Sequence, residues 1–215
     1  MAKDLLFEIG AEEIPAGFMP NILGQLKQLA VSKFYAAHLT FETIETFGTP
    51  RRLALIVKGI KDTSDEIRET HKGPSASIAY DADGNPTKAA IGFARGKGLD
   101  VADLVVEDGY IYAETKTAGV PAKDIVTDML PQLITGLNFP KSMHWGNLDA
   151  KFVRPVRWLV ALLDEEVIHV EFATVKSGNV TRGHRFLGAD EITIKNAASY
   201  VDTLKENFVM VDQDA

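Results

Sequence analysis

Three short motifs in this chain set cations beside glycine or an aromatic residue: Lys141-Ser-Met-His-Trp-Gly146, Phe152-Val-Arg-Pro-Val-Arg-Trp158 and Thr181-Arg-Gly-His-Arg-Phe186. Guanidinium forks grip phosphate or carboxylate with two parallel hydrogen bonds. Aromatic faces and guanidinium planes stack on nucleic-acid bases. Between Lys141 and Arg157 the chain carries four cations (Lys141, Lys151, Arg154 and Arg157) against a single acid, Asp149. Arg51-Arg52 forms a further cationic pair, and His184, between Arg182 and Arg185, offers an imidazole that can donate or accept a hydrogen bond. Gly183 lets the backbone approach a ligand or adopt a positive φ. The chemistry these residues suit is contact with an anionic partner such as RNA. The competing reading is an ordinary core with charged residues at its rim, and a core role is the first reading for Trp145 and Trp158.

Other chemistries find less support. The chain has no cysteine, which excludes disulfides, thiol catalysis and Cys-ligated zinc. Its five histidines (His38, His71, His144, His169 and His184) show neither H-E-x-x-H nor H-x-H spacing, and His169, among apolar neighbours on an expected strand, reads as structural. No nucleophile elbow is present. Gly92-Phe-Ala-Arg-Gly-Lys-Gly98 lacks the phosphate-loop spacing and falls at a helix end. Glu12-Glu13 reads as a water-facing helix start rather than an acid/base pair.

The elements that would hold the motifs follow from patterning. Leu5–Ile9 predicts a strand, and the recurrence of Phe18, Ile22, Leu26, Leu29 and Phe34 predicts a helix from Pro15 to about Ala37. Glu42–Phe47 and Leu53–Val57 predict a hairpin closed at Gly48-Thr-Pro50, with Arg51-Arg52 at its mouth. Successive strand residues face opposite ways, so only one of the two arginines is expected to serve a given surface. Ile60–His71 reads as an extended edge segment, Lys72–Ser75 as a turn, and Asp81–Pro86 as a clear turn before a helix from Thr87, its N-cap, to Lys97. Tyr110–Thr115 predicts a strand and Pro121–Gly136 a helix. Val156–Leu163 predicts a strand covered on both faces, with Asp164–Glu166 turning into a hairpin partner at Val167–Phe172. Ser177–Val180 reads as a loop, Asn196–Asn207 as a helix and Val209–Val211 as a short strand. The fold class expected is α+β with mixed or antiparallel sheets and packed helices, without repeats or a Pro/Gly/Ser-rich linker.

The 215 residues, 46% hydrophobic and 25% charged, describe a globular chain able to bury a large core. A net charge of −7 and a pI near 5.3 argue against a broadly basic nucleic-acid surface while permitting a local patch. No apolar run approaches the roughly 20 residues of a membrane span, and Met1-Ala-Lys-Asp leads directly into a strand. The expectation is a cytoplasmic protein without membrane contact.

Six ordered motifs together identify a family: Leu6-Phe-Glu-Ile-Gly-Ala-Glu-Glu-Ile-Pro15, Thr49-Pro-Arg-Arg-Leu-Ala54, Lys72-Gly-Pro74, Lys141–Gly146, Phe152-Val-Arg-Pro-Val156 and Thr181–Phe186. They resemble the N-terminal part of the β subunit of bacterial heterotetrameric glycyl-tRNA synthetase, over essentially the whole chain. His144 departs from the family's usual arginine and would hold an anion less firmly.

The resemblance implies that residues 1–215 are a domain like the B3/B4 domain of the phenylalanyl-tRNA synthetase β subunit, the first part of a longer chain with HD-type and anticodon-binding domains downstream. It implies a share in a class II ligase that attaches glycine to tRNA(Gly). The α subunit would use ATP and Mg; this segment would carry no cofactor, no metal and no catalytic centre. Partners implied are tRNA(Gly) and the α subunit, not DNA. Carried onto this sequence, the tRNA-binding candidates are Arg51, Arg52, Lys141, Arg154, Arg157, Arg182, His184 and Arg185. Two alternatives stay open: hydrolytic editing, as in the phenylalanine enzyme, and a scaffold for subunit assembly without RNA contact. Editing is disfavoured because no standard amino acid is smaller than glycine for a second sieve to remove. Solvent exposure of Arg182, His184 and Arg185 separates a binding surface from a buried assembly role.

Overall fold

A computed structural model describes residues 2–81, 83–145 and 149–212, and the chain is α+β with mixed and antiparallel sheets. It divides into two compact units, Met1–Ser64 with Val120–Ala215, and Asp65–Gly119.

The larger unit is built on β1 (Lys3–Ala11), in which every residue from Leu5 to Ala11 is buried. A strand buried on both faces carries no polar alternation. Leu5, Phe7 and Ile9 enter one core layer with Ile22, Leu26 and Phe34 of α1 (Met19–Ala36). Leu6 enters the opposite layer. A single 3-10 turn at Ala16–Phe18 precedes α1, so the helix starts four residues after Pro15, with Pro20 in its first turn. β2 (Thr43–Thr49) and β3 (Arg52–Ile60) form the expected hairpin, and β3 pairs antiparallel with β1.

The smaller unit follows: β4 (Ile67–Ser75), α2 (Ala76–Ala79), α3 (Lys88–Gly96), β5 (Val105–Glu107) and β6 (Tyr110–Thr117). Its antiparallel sheet runs β4-β6-β5, so β4 is an edge strand as its polarity predicts. Lys72–Ser75 is not a turn: β4 continues through it, with a register shift between Lys72 and Ser75. The Gly73–Pro74 pair accounts for both facts. Pro74 cannot donate to the ladder, and a Cβ at Gly73 would lie 2.7 Å from Phe93 Cε1. The turn before α3 is as expected, with Asp81 Oδ1 accepting from the backbone N–H of Asp83 and Asn85, and Thr87 capping the helix; Ala82 lies outside the described residues. Gly92–Gly98 lies on and just after α3, away from any strand-to-helix turn.

The chain returns to the larger unit beside the point where it left. Ser64 N–H donates to Val120 O at 2.9 Å, and Val120 N–H to Ser64 Oγ at 2.9 Å. This closely paired exit and entry explains why no flexible linker marks the boundary in sequence. α4 (Ala122–Gly136) packs into the first core layer. β7 (Val156–Leu163) pairs antiparallel with β1, and all its residues but Arg157 are buried. Trp158, Val160 and Leu162 join Leu6 in the second layer.

Beyond β7 the expectations hold less well. The hairpin partner shrinks to β8 (Glu166–Val167), since β9 (Glu171–Phe172) pairs instead with β10 (Val175–Gly178). β10 covers the Ser177 end of the expected loop and pairs parallel with β7, giving the sheet order β2-β3-β1-β7-β10-β9. β11 (Val180–Thr181) and β12 (Ile192–Thr193) form a small separate pair, and α5 (Tyr200–Glu206) lays Tyr200 and Leu204 on the second layer. The helix is shorter than Asn196–Asn207 because Asn196 and Ser199 bond one another in a local turn. Val209–Val211 is not a strand; Val209 N–H bonds back to Leu204 O at the helix end. No helix among the described residues is long and apolar enough to cross a membrane.

Candidate functional site

Glu8 is the one acid in the apolar run of β1, and it is 0% exposed on the second face of the sheet. A buried carboxylate must be hydrogen-bonded and paired to be tolerated. Glu8 accepts from Trp158 Nε1 and Thr181 Oγ1 through Oε1 and from the Tyr200 hydroxyl through Oε2. It faces Arg52 Nη1 at 3.5 Å. Arg52 also donates to Thr181 Oγ1 at 3.3 Å and to the Arg182 carbonyl at 2.6 Å. One network thus ties β1, β3, β7, β11 and α5 together. Burial and the neighbouring Glu8 charge push the Tyr200 phenol well above its ordinary value, which keeps it a donor.

Arg52, expected among the tRNA contacts, is buried in this chain. At 2% exposure, its guanidinium is committed to Glu8, Thr181 and Arg182 and braces the surface from beneath. Only one of the two arginines reaches the surface, but burial rather than strand alternation separates them, because Arg51 lies in the turn before β3. Both guanidinium carbons stand 5.7 Å from the Trp158 ring centroid, and that of Arg182 stands at 5.2 Å. Trp158 is a core residue, but one covered by cations. Burial lowers the Arg51 pKa, and Arg185, Arg52 and Arg182 lower it further, against an opposing contribution from Glu12.

Arg182, His184 and Arg185 all face solvent, as does Arg157. Glu12 is no idle helix-start acid: its Oε1 lies 2.7 Å from Arg157 Nε and its Oε2 lies 4.0 Å from Arg185 Nη2. His184 Nδ1 accepts from Phe186 and Leu187 N–H, so the ring shapes its own loop. Gly183 does not have a positive φ; its missing Cβ makes room for the loop backbone, since the built atom would lie 2.9 Å from Ala189 O. Lys141 is exposed, and Arg154 is half-buried with Nη1 on the Val153 carbonyl at 2.9 Å. Neither shares a carboxylate or hydroxyl partner with the arginines around Trp158 among the described residues. In the Lys141–Gly146 motif, His144 is exposed, Trp145 packs beside Phe172, and Gly146 lies outside the described residues. His169 is exposed and off any strand, which overturns its structural reading.

Beside these arginines lies a cleft of about 390 Å³, bounded by Arg51, His184, Arg185, Phe186, Phe208 and Met210 among others. No group of three His, Asp or Glu among the described residues is placed to hold a metal ion. Sequence reasoning missed Glu8, Tyr200 and Phe208. A lone acid within Leu5–Ile9 was the available signal for the first; Tyr200 and Phe208 carried none.

The family described as glycyl-tRNA synthetase beta subunit matches residues 5–215. The chain is 45% identical over 214 residues to the glycine–tRNA ligase beta subunit of Halothermothrix orenii, covering 100% of this chain and 31% of that protein. It is 44% identical over 218 residues to the beta subunits of both Trichlorobacter lovleyi and Geobacter sulfurreducens, covering 100% of this chain and 32% of each. The chain therefore spans about a third of the length of these relatives. It belongs to the glycyl-tRNA synthetase beta subunit family.

Proposed function

We propose that, in this member of the glycyl-tRNA synthetase beta subunit family, the solvent-facing arginines around Trp158 bind tRNA(Gly). The chain would do so as part of a β subunit supporting ATP-dependent attachment of glycine, with catalysis, ATP and Mg assigned to a separate α subunit. A B3/B4-like fold for this segment, with HD-type and anticodon-binding domains beyond it, belongs to the same proposal. The observation that carries the reading is a local reversal of charge. In a chain of net charge −7, Arg51, Arg157, Arg182 and Arg185 gather on one surface above the buried Arg52. The carboxylates set against them are Glu8, buried beneath, Glu12, and Glu13 at the neighbouring cleft. Phosphate contacts of this kind position RNA and make its binding salt-dependent.

The test is binding of a glycine-specific tRNA transcript and an unrelated tRNA across a salt series, with Arg182→Ala and Arg185→Ala measured alongside. The reading expects a salt-dependent signal weakened by both substitutions with the fold intact. Binding that is absent, or unaltered by them, contradicts it and leaves an assembly surface as the role of this face.

A further inference from the structure

We propose that the cleft beside Arg51 receives one unpaired nucleotide, its phosphate on Arg51 and Arg185 and its base against Phe186 and Phe208. This rests on the tRNA reading and names what part of an RNA the site would take.

Three observations meet at the cleft. Its volume of about 390 Å³ falls within the roughly 300–1,000 Å³ of small-ligand sites. Large apolar side chains stand in solvent around it: Phe186 is 84% exposed, Met210 66% and Phe208 61%. Isolated exposed apolar residues are ordinary, but several gathered on one cleft mark a contact surface. The third observation is conformational. Phe208 follows α5 with φ +61, a left-handed position that glycine usually fills at a helix end. The turn is closed by Phe208 N–H to Lys205 O at 3.1 Å and Val209 N–H to Leu204 O at 2.9 Å. A bulky ring is disfavoured in that conformation, and here it stays mostly in solvent.

The polar side of the cleft specifies an anion. Arg51, Arg52 and Arg185 line it against the carboxylate of Glu13, and Arg51 is crowded by Arg185, Arg52 and Arg182. Arg51 Nε is shut off from solvent and has no hydrogen-bond partner among the described residues. Arginine, phenylalanine and methionine also suit a protein interface, but the crowding of several guanidiniums on one side of the cleft calls for a concentrated anion. A nucleotide unites the two halves, because phosphate answers the arginines and the base presents a flat face to phenylalanine. A base inside a duplex is already stacked, so the nucleotide must be unpaired.

The experiment compares a blunt RNA duplex with the same duplex carrying a short 3′ single strand, titrated against the chain. The overhang is expected to bind about tenfold more tightly, the scale of one base stacked on an aromatic ring. Phe208→Ala and Phe186→Ala should each reduce that preference while leaving blunt-duplex binding and its salt slope in place. Phe208→Gly, which relieves the left-handed strain, should keep or raise thermal stability and still lose the preference, separating ligand contact from folding. Equal binding of both probes by the unsubstituted chain overturns the proposal and leaves the tRNA reading standing. So does a preference untouched by the phenylalanine substitutions, or one replaced by failure of these variants to assemble with another protein subunit. Binding of neither probe contradicts both.

Discussion

The Trp158 indole lies against Gly10, its register partner across the β1–β7 pair, in space that a Cβ at residue 10 would need. The absent side chain lets the ring lie between the sheet and the guanidiniums of Arg51, Arg52 and Arg182 while its N–H reaches Glu8. Gly10→Ala should force the indole out of place and destabilise the larger unit by about 1–3 kcal/mol, the scale of overpacking. Urea unfolding followed by tryptophan fluorescence measures this, and an unchanged midpoint with unchanged emission would show that the ring has room to move.

The Glu8–Arg52 pair is buried at both ends. Arg52→Ala leaves Glu8 uncompensated and should cost about 3–5 kcal/mol, as broken buried pairs do. Replacing both, as Glu8→Gln with Arg52→Met, should cost less than the two single changes summed. Additive losses in a double-mutant cycle would show that the two residues act independently.

Tyr200 links the network to pH. Its folded pKa lies above the unfolded value, so the stability it contributes is fully present below the unfolded phenol pKa of about 10 and is lost as pH rises above it. Ultraviolet difference absorbance should show Tyr200 ionising only as the chain unfolds. Tyr200→Phe should flatten the alkaline loss of stability. Ionisation of Tyr200 below the unfolding transition, identified as the signal lost in Tyr200→Phe, would refute the buried hydrogen bond to Glu8.

Glu12 partly neutralises Arg157 and Arg185. Glu12→Gln should therefore tighten tRNA binding and steepen its salt dependence by up to about one unit of slope, while changing stability by less than about 1 kcal/mol because the pairs are exposed. Weaker binding in filter or fluorescence titrations would mean that Glu12 orients the arginines more than it masks them.

How much of this could be read in advance varies along the chain. Helical spacing made α1 legible and continuous apolar runs made β1 and β7 legible, while the turn chemistry of Asp81–Pro86 and the cap at Thr87 were legible from residue types alone. From Val167 to Val211 the elements are two to seven residues long and are defined by distant pairing, such as β10 with β7, which local pattern does not encode. The arginines were visible as candidates, but not which of them is buried. Arg52 becomes a brace because Glu8, separated from it in the chain by α1 and β2, sits on the same buried face, a long-range pairing without local trace. The cleft depends on Phe208, brought to His184–Phe186 by the end of α5, and is likewise a product of the tertiary fold.

The most direct measurement is aminoacylation by the assembled glycine–tRNA ligase carrying Arg182→Ala with Arg185→Ala, set against glycine-dependent ATP–pyrophosphate exchange by the same preparation. If these arginines hold tRNA phosphates as proposed, their loss should raise the KM for tRNA about tenfold or more at physiological salt, with exchange activity and subunit assembly unchanged. An unaltered KM for tRNA, or a parallel fall in exchange and assembly, would contradict an RNA-facing role for this arginine surface.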